Sequence, residues 1–192
     1  MRLVLFLLIL LGLAACGRQQ FSAPRNLDNA CLLAQERPEY MQAMQLAESN
    51  WGVPVPVQMA TIYQESRFIG DARTPYRYAL GVIPTGRVSS AFGYSQALDG
   101  TWDDYRAETG NRRANRTDIF DATDFIGWYM THTVNRNGIP MGDARNQYLA
   151  YHEGHAGFAR GSYNRKAWLL RVADTVADRA ELYQAQLITC GG

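Results

Sequence analysis

Three short strings place polar, chemically capable side chains inside otherwise apolar surroundings: Gln64-Glu65-Ser66-Arg67-Phe68, Ala91-Phe92-Gly93-Tyr94-Ser95-Gln96 and Tyr148-Leu149-Ala150-Tyr151-His152-Glu153-Gly154. Glu65 is the group in the first string that can give and take a proton. It falls at the C-terminal end of an apolar helical segment, where the macrodipole disfavours negative charge, and its i−3 and i−4 neighbours are Ile62 and Thr61. Dipole and desolvation both raise a carboxyl pKa, which suits a general acid. The other strings offer hydroxyl, amide and imidazole groups for a polar ligand: Tyr94, Ser95, Gln96, Tyr151 and His152. His132, His152 and His155 do not read as a metal site. The run His152-Glu153-Gly154-His155 lacks the i, i+4 helical spacing of a zincin, and its Gly interrupts a helix. No metal and no other cofactor is expected.

Helices must position these groups, because no run alternates apolar and polar residues long enough to make a strand. Pro38 can open a helix with Met41, Met44 and Ala47 on one face, ending near Gly52. Pro54-Val55-Pro56 starts another, which runs to Glu65 and Ser66. Over residues 70–90, Pro75, Gly81, Pro84 and Gly86 with three Arg and two Tyr read as a loop. A helix over 117–137 carries Phe125, Trp128, Tyr129 and His132 and closes at Gly138. Asp143 can cap a short helix bearing Tyr148, Leu149 and Tyr151, and a long final helix starts at about Asn164. Trp51, Trp102, Trp128 and Trp168 read as core, and Arg112, Arg113 and Arg116 as a solvated face.

In that order the three strings resemble the soluble-lytic-transglycosylase (SLT) domain, a lysozyme-like family that cleaves peptidoglycan. Its motifs are Glu-Ser near a helix end, Gly-Leu-Met-Gln, and Ala-Tyr-Asn-Ala-Gly. Here Glu65, Ser66 and Phe68 match the first, Gly93 and Gln96 the second, and Ala150, Tyr151 and Gly154 the third. Tyr94 and Ser95 replace Leu and Met, His152 and Glu153 replace Asn and Ala, and His155 replaces the usual Pro. Residues 73–90 stand as an insertion before the second motif, a candidate wall or lid of the groove. The resemblance implies a mainly α, lysozyme-like domain with a catalytic Glu at a helix end. It also implies sugar-contacting roles for Ser66, Tyr94, Ser95, Gln96, Tyr151 and His152, with Tyr151 positioning Glu65.

Glycosidic cleavage generally uses two carboxyl groups, whereas a lytic transglycosylase needs one. As the resemblance implies, Glu65 protonates the bond between N-acetylmuramic acid (MurNAc) and N-acetylglucosamine (GlcNAc). As carboxylate it then takes a proton from the muramoyl C6 hydroxyl, which closes on C1 to give a 1,6-anhydro product. Two alternatives remain at this level. One is a hydrolytic muramidase of the same fold, with Asp118, Asp121 or Glu153 as second carboxylate. The other is a non-catalytic peptidoglycan-binding protein.

The amino terminus reads as an address. After Arg2 comes an apolar run too short to span a bilayer, ending in Leu13-Ala14-Ala15-Cys16, which resembles the bacterial lipobox. The resemblance implies a lipoprotein signal peptide over 1–15 and acylation of Cys16. Gly17 in place of Asp then favours the outer membrane, facing the periplasm. Residues 16–30 read as a lipidated tether and 31–192 as the enzymatic domain. Acylation of Cys16 leaves Cys31 and Cys190 as a pair in an oxidising compartment, expected to close a disulfide. Without residues 1–15 the basic and acidic side chains balance, so bulk charge gives no field for a nucleic acid. The expected partners are glycan strands and membrane lipid.

Overall fold

The computed structural model describes residues 21–191. The segment expected to be a signal peptide and the expected acylation site Cys16 therefore lie outside the described residues. The architecture is mainly α, with eight α-helices among the described residues: α1 (Ala30–Glu36), α2 (Pro38–Trp51), α3 (Val55–Ser66), α4 (Asp99–Thr109), α5 (Ile119–Asn137), α6 (Ala144–Glu153), α7 (His155–Ala159) and α8 (Ala167–Cys190). A 3-10 turn, Ser162–Arg165, precedes α8, so the last helix starts slightly later than its sequence pattern suggests.

Local chemistry explains most boundaries. Pro38 sits in the first turn of α2, which buries Tyr40, Met41, Ala43, Met44 and Ala47 on one face and ends at Gly52 with φ of 77°. Asp118 caps α5 by accepting from the Phe120 N–H at 2.8 Å, and Asp143 caps α6 by accepting from the Asn146 N–H at 3.0 Å. The pattern over α4 is too sparse to announce a helix, because only Trp102 and Tyr105 are buried there. Helix α2 packs along α5, while α3 and α6 both pack on α8. At the α2–α5 crossing Gly127 faces Trp51, and a Cβ there would come within 2.4 Å of the indole. Trp51 Nε1 in turn donates to Asp124 at 2.6 Å, and Tyr105 donates to the same carboxylate at 2.7 Å.

Residues 76–87 correct the loop expected there. Tyr76–Ala79 (β1) and Ile83–Arg87 (β2) pair antiparallel, with Tyr76 opposite Arg87 and Ala79 opposite Ile83. The hairpin left no alternating signature because both of its faces are exposed. Its residues line neither of the two clefts described below; Arg73, Arg87, Ser89 and Ser90 of the insertion line a separate hollow with Phe92, Asp99 and Arg116.

The second half of the expected tether lies against the domain. Phe21 C=O accepts from Gly70 N–H at 2.9 Å, Arg179 pairs with Asp28 at 2.8 Å, and Tyr183 donates to the Leu27 carbonyl. The Gln186 side chain closes both ends of the next step, accepting from Ala30 N–H at 2.7 Å and donating to Asp28 C=O at 3.0 Å. Beside these contacts Cys31 and Cys190 form the expected disulfide, closing a separation of 159 residues. In the chain-entropy model a loop of that length is worth on the order of 5 kcal/mol. Replacing both cysteines by Ser is expected to lower the urea-unfolding free energy by about 4 kcal/mol. Reductant should shift the wild type to the same midpoint and leave the variant unmoved.

Candidate active site

Helix α3 delivers Glu65 in its last turn. The helix stops because Arg67 adopts the left-handed conformation, φ 53°, and returns its N–H to Tyr63 C=O at 3.1 Å; Phe68 follows with φ 59°. This double reversal turns Phe68 into the core, where it is fully buried and stacks on Tyr40 at 5.7 Å. The Tyr63 ring is clamped between two guanidinium groups, Arg179 at 3.4 Å and Arg67 at 4.3 Å. The end of α3 is thereby held from both sides. Ser66 is not free to meet a ligand: it is buried and its hydroxyl donates to Ile62 C=O at 3.2 Å.

Helix α6 supplies the groups around the carboxyl. Tyr148 donates a hydrogen bond to Glu65, a contact that the sequence reading missed. Tyr148 stands one helical turn before Tyr151, so its i, i+3 relation to the motif tyrosine was the available signal. Tyr151 lies close enough to Glu65 to feel its charge, but its hydroxyl donates to Ser95 C=O at 2.6 Å. Its ring is wedged edge-on against Tyr129 at 5.0 Å. Tyr151 therefore joins the second and third motifs, and Tyr148 is the direct partner of the acid. Although part of Glu65 reaches the surface, its carboxyl is packed within protein. Burial raises its pKa from 4.5 to about 7, against the lowering effect of the Tyr148 hydrogen bond.

The second motif supports more than it contacts. Gly93 has φ of 81°, and a Cβ there would fall 2.1 Å from the Arg116 carbonyl, so only Gly fits. Tyr94 is buried, its hydroxyl 2.9 Å from that of Tyr40. Ser95 is fully buried and offers its carbonyl to Tyr151. Gln96, at φ 49°, donates its amide to Gly93 C=O at 2.8 Å and Ala72 C=O at 3.0 Å. Its remaining surface lines a cleft. Arg116 corrects the expectation of a solvated face: it is mostly buried, with Asp99 at 2.6 Å and Ala97 C=O at 3.0 Å. Trp168 corrects the expectation of a core residue, being half exposed with its ring 5.2 Å from that of His152.

Two clefts meet beside these residues. One, of about 220 Å³, is lined by Gln96, Leu98, Tyr151 and His152; the other, of about 360 Å³, by Asp104, Glu108, Arg136 and Arg160. They share Thr101, Tyr129, Glu153 and Gly154 and so form one continuous channel. Glu65 lines neither of them, and Tyr151 links the channel to the acid. His152 stands at the channel wall, exposed, with Nδ1 3.2 Å from Glu153.

Of the candidate second carboxylates, Asp118 and Asp121 are engaged around the start of α5, while Glu153 lines the channel as an ion-paired group. Asp118 caps α5, and Asp121 accepts from Asn111 at 3.0 Å and from the Asn115 N–H at 2.8 Å. Burial raises the Glu153 pKa, but hydrogen bonds from Lys166, Ser162 and His152 overcome that and hold it at about 2. The Lys166 contact is 2.6 Å.

A mainly α domain that sets a protonatable carboxyl at a helix end, next to two tyrosines and close to a cleft, is of the lysozyme-like class. The family model for the transglycosylase SLT domain matches residues 3–190, and the chain belongs to that family. It is accordingly an enzyme of the lytic-transglycosylase type that acts on peptidoglycan. No curated protein matches the chain.

Two predictions follow from the Glu65 environment. Because its folded pKa lies above 4.5, the group favours folding most below that value, and the advantage is lost as pH rises through about 7. Calorimetry at pH 4 should therefore find Glu65→Gln and wild type similar, and at pH 9 the variant more stable by on the order of 2–3 kcal/mol. Tyr148→Phe removes the bond that lowers the Glu65 pKa. The alkaline limb of its pH–activity profile should lie above that of the wild type, and an unmoved limb would remove Tyr148 from this role.

Proposed function

We propose that Glu65 alone carries out both proton transfers of a non-hydrolytic cleavage of the MurNAc–GlcNAc β-1,4 bond. The supporting observation is that the Glu65 carboxyl is half-protonated near neutral pH, while Asp118 caps a helix, Asp121 accepts from Asn111 and Asn115, and Glu153 is held ionised by Lys166. Protonated Glu65 gives its proton to the glycosidic oxygen as the C1–O4 bond breaks. The muramoyl N-acetyl oxygen shares the positive charge at C1. The C6 hydroxyl then bonds to C1 and returns its proton to the Glu65 carboxylate, so the acid is regenerated and no water is consumed. Tyr148 holds the carboxyl in place through both steps, and Gln96, Tyr151 and His152 border the path of the glycan strand.

The same reading puts the enzyme on the periplasmic face of the outer membrane through acylated Cys16. The lipobox-like Leu13-Ala14-Ala15-Cys16 and the following Gly17 support this, as does a disulfide suited to an oxidising compartment.

Digestion of purified sacculi in H₂¹⁸O tests the chemistry. The expected products are 1,6-anhydromuropeptides without the heavy isotope, and Glu65→Gln should release them at least about a hundredfold more slowly. Reducing-end products carrying ¹⁸O would establish a muramidase instead, and sacculus binding without release would establish a binding protein.

A further inference from the structure

The β1–β2 hairpin stands out from the helical body with its apolar side chains in solvent. Leu80 is 90% exposed and Val82 76%, and Tyr76, Tyr78 and Ile83 are exposed beside them. The turn is closed by Val82 N–H on Ala79 C=O at 3.2 Å, with Leu80 at φ 52° and Gly81 at φ 76°. Turns of this handedness favour Asn, Asp or Gly at their first central position, and a Leu there is strained. Leu80 thus gains nothing from its backbone conformation and nothing from burial within the fold. Around this tip residues 73–90 contain Arg73, Arg77 and Arg87 and no acidic residue. Arg87 lies over the Tyr76 ring at 4.3 Å and Arg73 over Phe92 at 3.8 Å, while Arg77 donates to Val88 C=O at 3.2 Å. An aliphatic tip backed by tyrosines and by arginines that pair with no carboxylate among the described residues has the composition of a membrane-interface element.

The amino-terminal segment places lipid within reach of it. Phe21 is fixed to Gly70 at 2.9 Å, six residues before β1, and an Arg73–Phe92 bridge ties down the foot of the hairpin. Cys16 precedes Phe21 by only five residues, which extend to roughly 18 Å at most. The strands are four and five residues long and project by roughly 15 Å. The reach of that segment is thus comparable to the projection of the hairpin, so a lipid surface holding Cys16 can also meet the hairpin tip.

We infer that the hairpin tip, Leu80, Gly81, Val82 and Ile83, inserts into the same leaflet that holds the acylated Cys16, with Arg77 and Arg87 facing lipid phosphates. The inference rests on the reading of Cys16 as the anchor. Its consequence is attachment at two points, which fixes how the domain sits over the membrane where a tether alone leaves it free to turn. The second contact is nearly intramolecular once the anchor is in place, which adds to an insertion strong enough to hold the unacylated domain on vesicles.

The test uses the mature chain from residue 16 with Cys16→Ser, which removes the acyl group, and vesicles of phosphatidylethanolamine and phosphatidylglycerol. Co-sedimentation of this protein, reduced by salt, is expected. Adding Leu80→Ser, Val82→Ser and Ile83→Ser should lower the bound fraction about tenfold. Helical circular dichroism and sacculus digestion should be unchanged by those three substitutions. Equal sedimentation of the two proteins overturns the inference. So does a parent protein that stays in the supernatant, which would leave the tip to a protein partner. Labelling cells with radioactive palmitate separates the two claims. An unlabelled wild-type Cys16 with vesicle binding intact overturns the anchor and supports insertion, while a labelled Cys16 without vesicle binding overturns insertion alone.

Discussion

The structure turns on keeping one carboxyl out of water at the end of a helix. A buried carboxylate is costly, so the Glu65 pKa is pushed from its ordinary 4.5 up to about 7, and the fold bears a stability cost whenever it ionises. Much of the surrounding framework makes that position tolerable. The left-handed pair Arg67 and Phe68 ends α3 without letting the chain drift into solvent, and the Arg67–Tyr63–Arg179 stack ties that end to α8. Tyr148 is a hydrogen-bonding neighbour of the carboxyl, and Tyr151 locks α6 to the Ser95 carbonyl. A reacting acid needs to be fixed more than it needs to be stable, and these contacts supply fixation.

Helix boundaries were legible in the sequence wherever a local signal marks them. Pro38, Asp118, Gly138 and Asp143 stand at the ends their chemistry dictates, and Glu65 falls in the last turn of its helix as the apolar pattern implies. What escaped was tertiary in origin. The hairpin has no buried face to write a period into its sequence, and α4 buries too few residues to show one. Residues 21–29 are polar enough to pass for a tether, yet beside the Asp28–Arg179 pair they dock through the carbonyls of Phe21, Leu27 and Asp28, which no side-chain pattern records.

The helix-end position of Glu65 was legible in the sequence, and the roles of the residues around it were less so. The resemblance assigned sugar contacts to Ser66, Tyr94 and Ser95. In the fold, Ser66 bonds back to its own helix, Tyr94 pairs with Tyr40, and Ser95 works through its carbonyl. Motif residues that surround a catalytic group often hold the backbone in an unusual conformation, and Gly93 and Gln96, both at positive φ, do that here. Conversely Tyr148 lies within the third string but outside the matched motif residues, and its contact with Glu65 depends on how α6 faces α3.

Isotope-edited NMR of the Glu65 carboxyl carbon tests the central claim most directly, because it reads the protonation state of the one group on which the chemistry depends. The account predicts a titration midpoint near 7 in the folded enzyme. A midpoint near the ordinary 4.5 would contradict it, since Glu65 would then be an ionised, solvated carboxylate unable to act first as the acid.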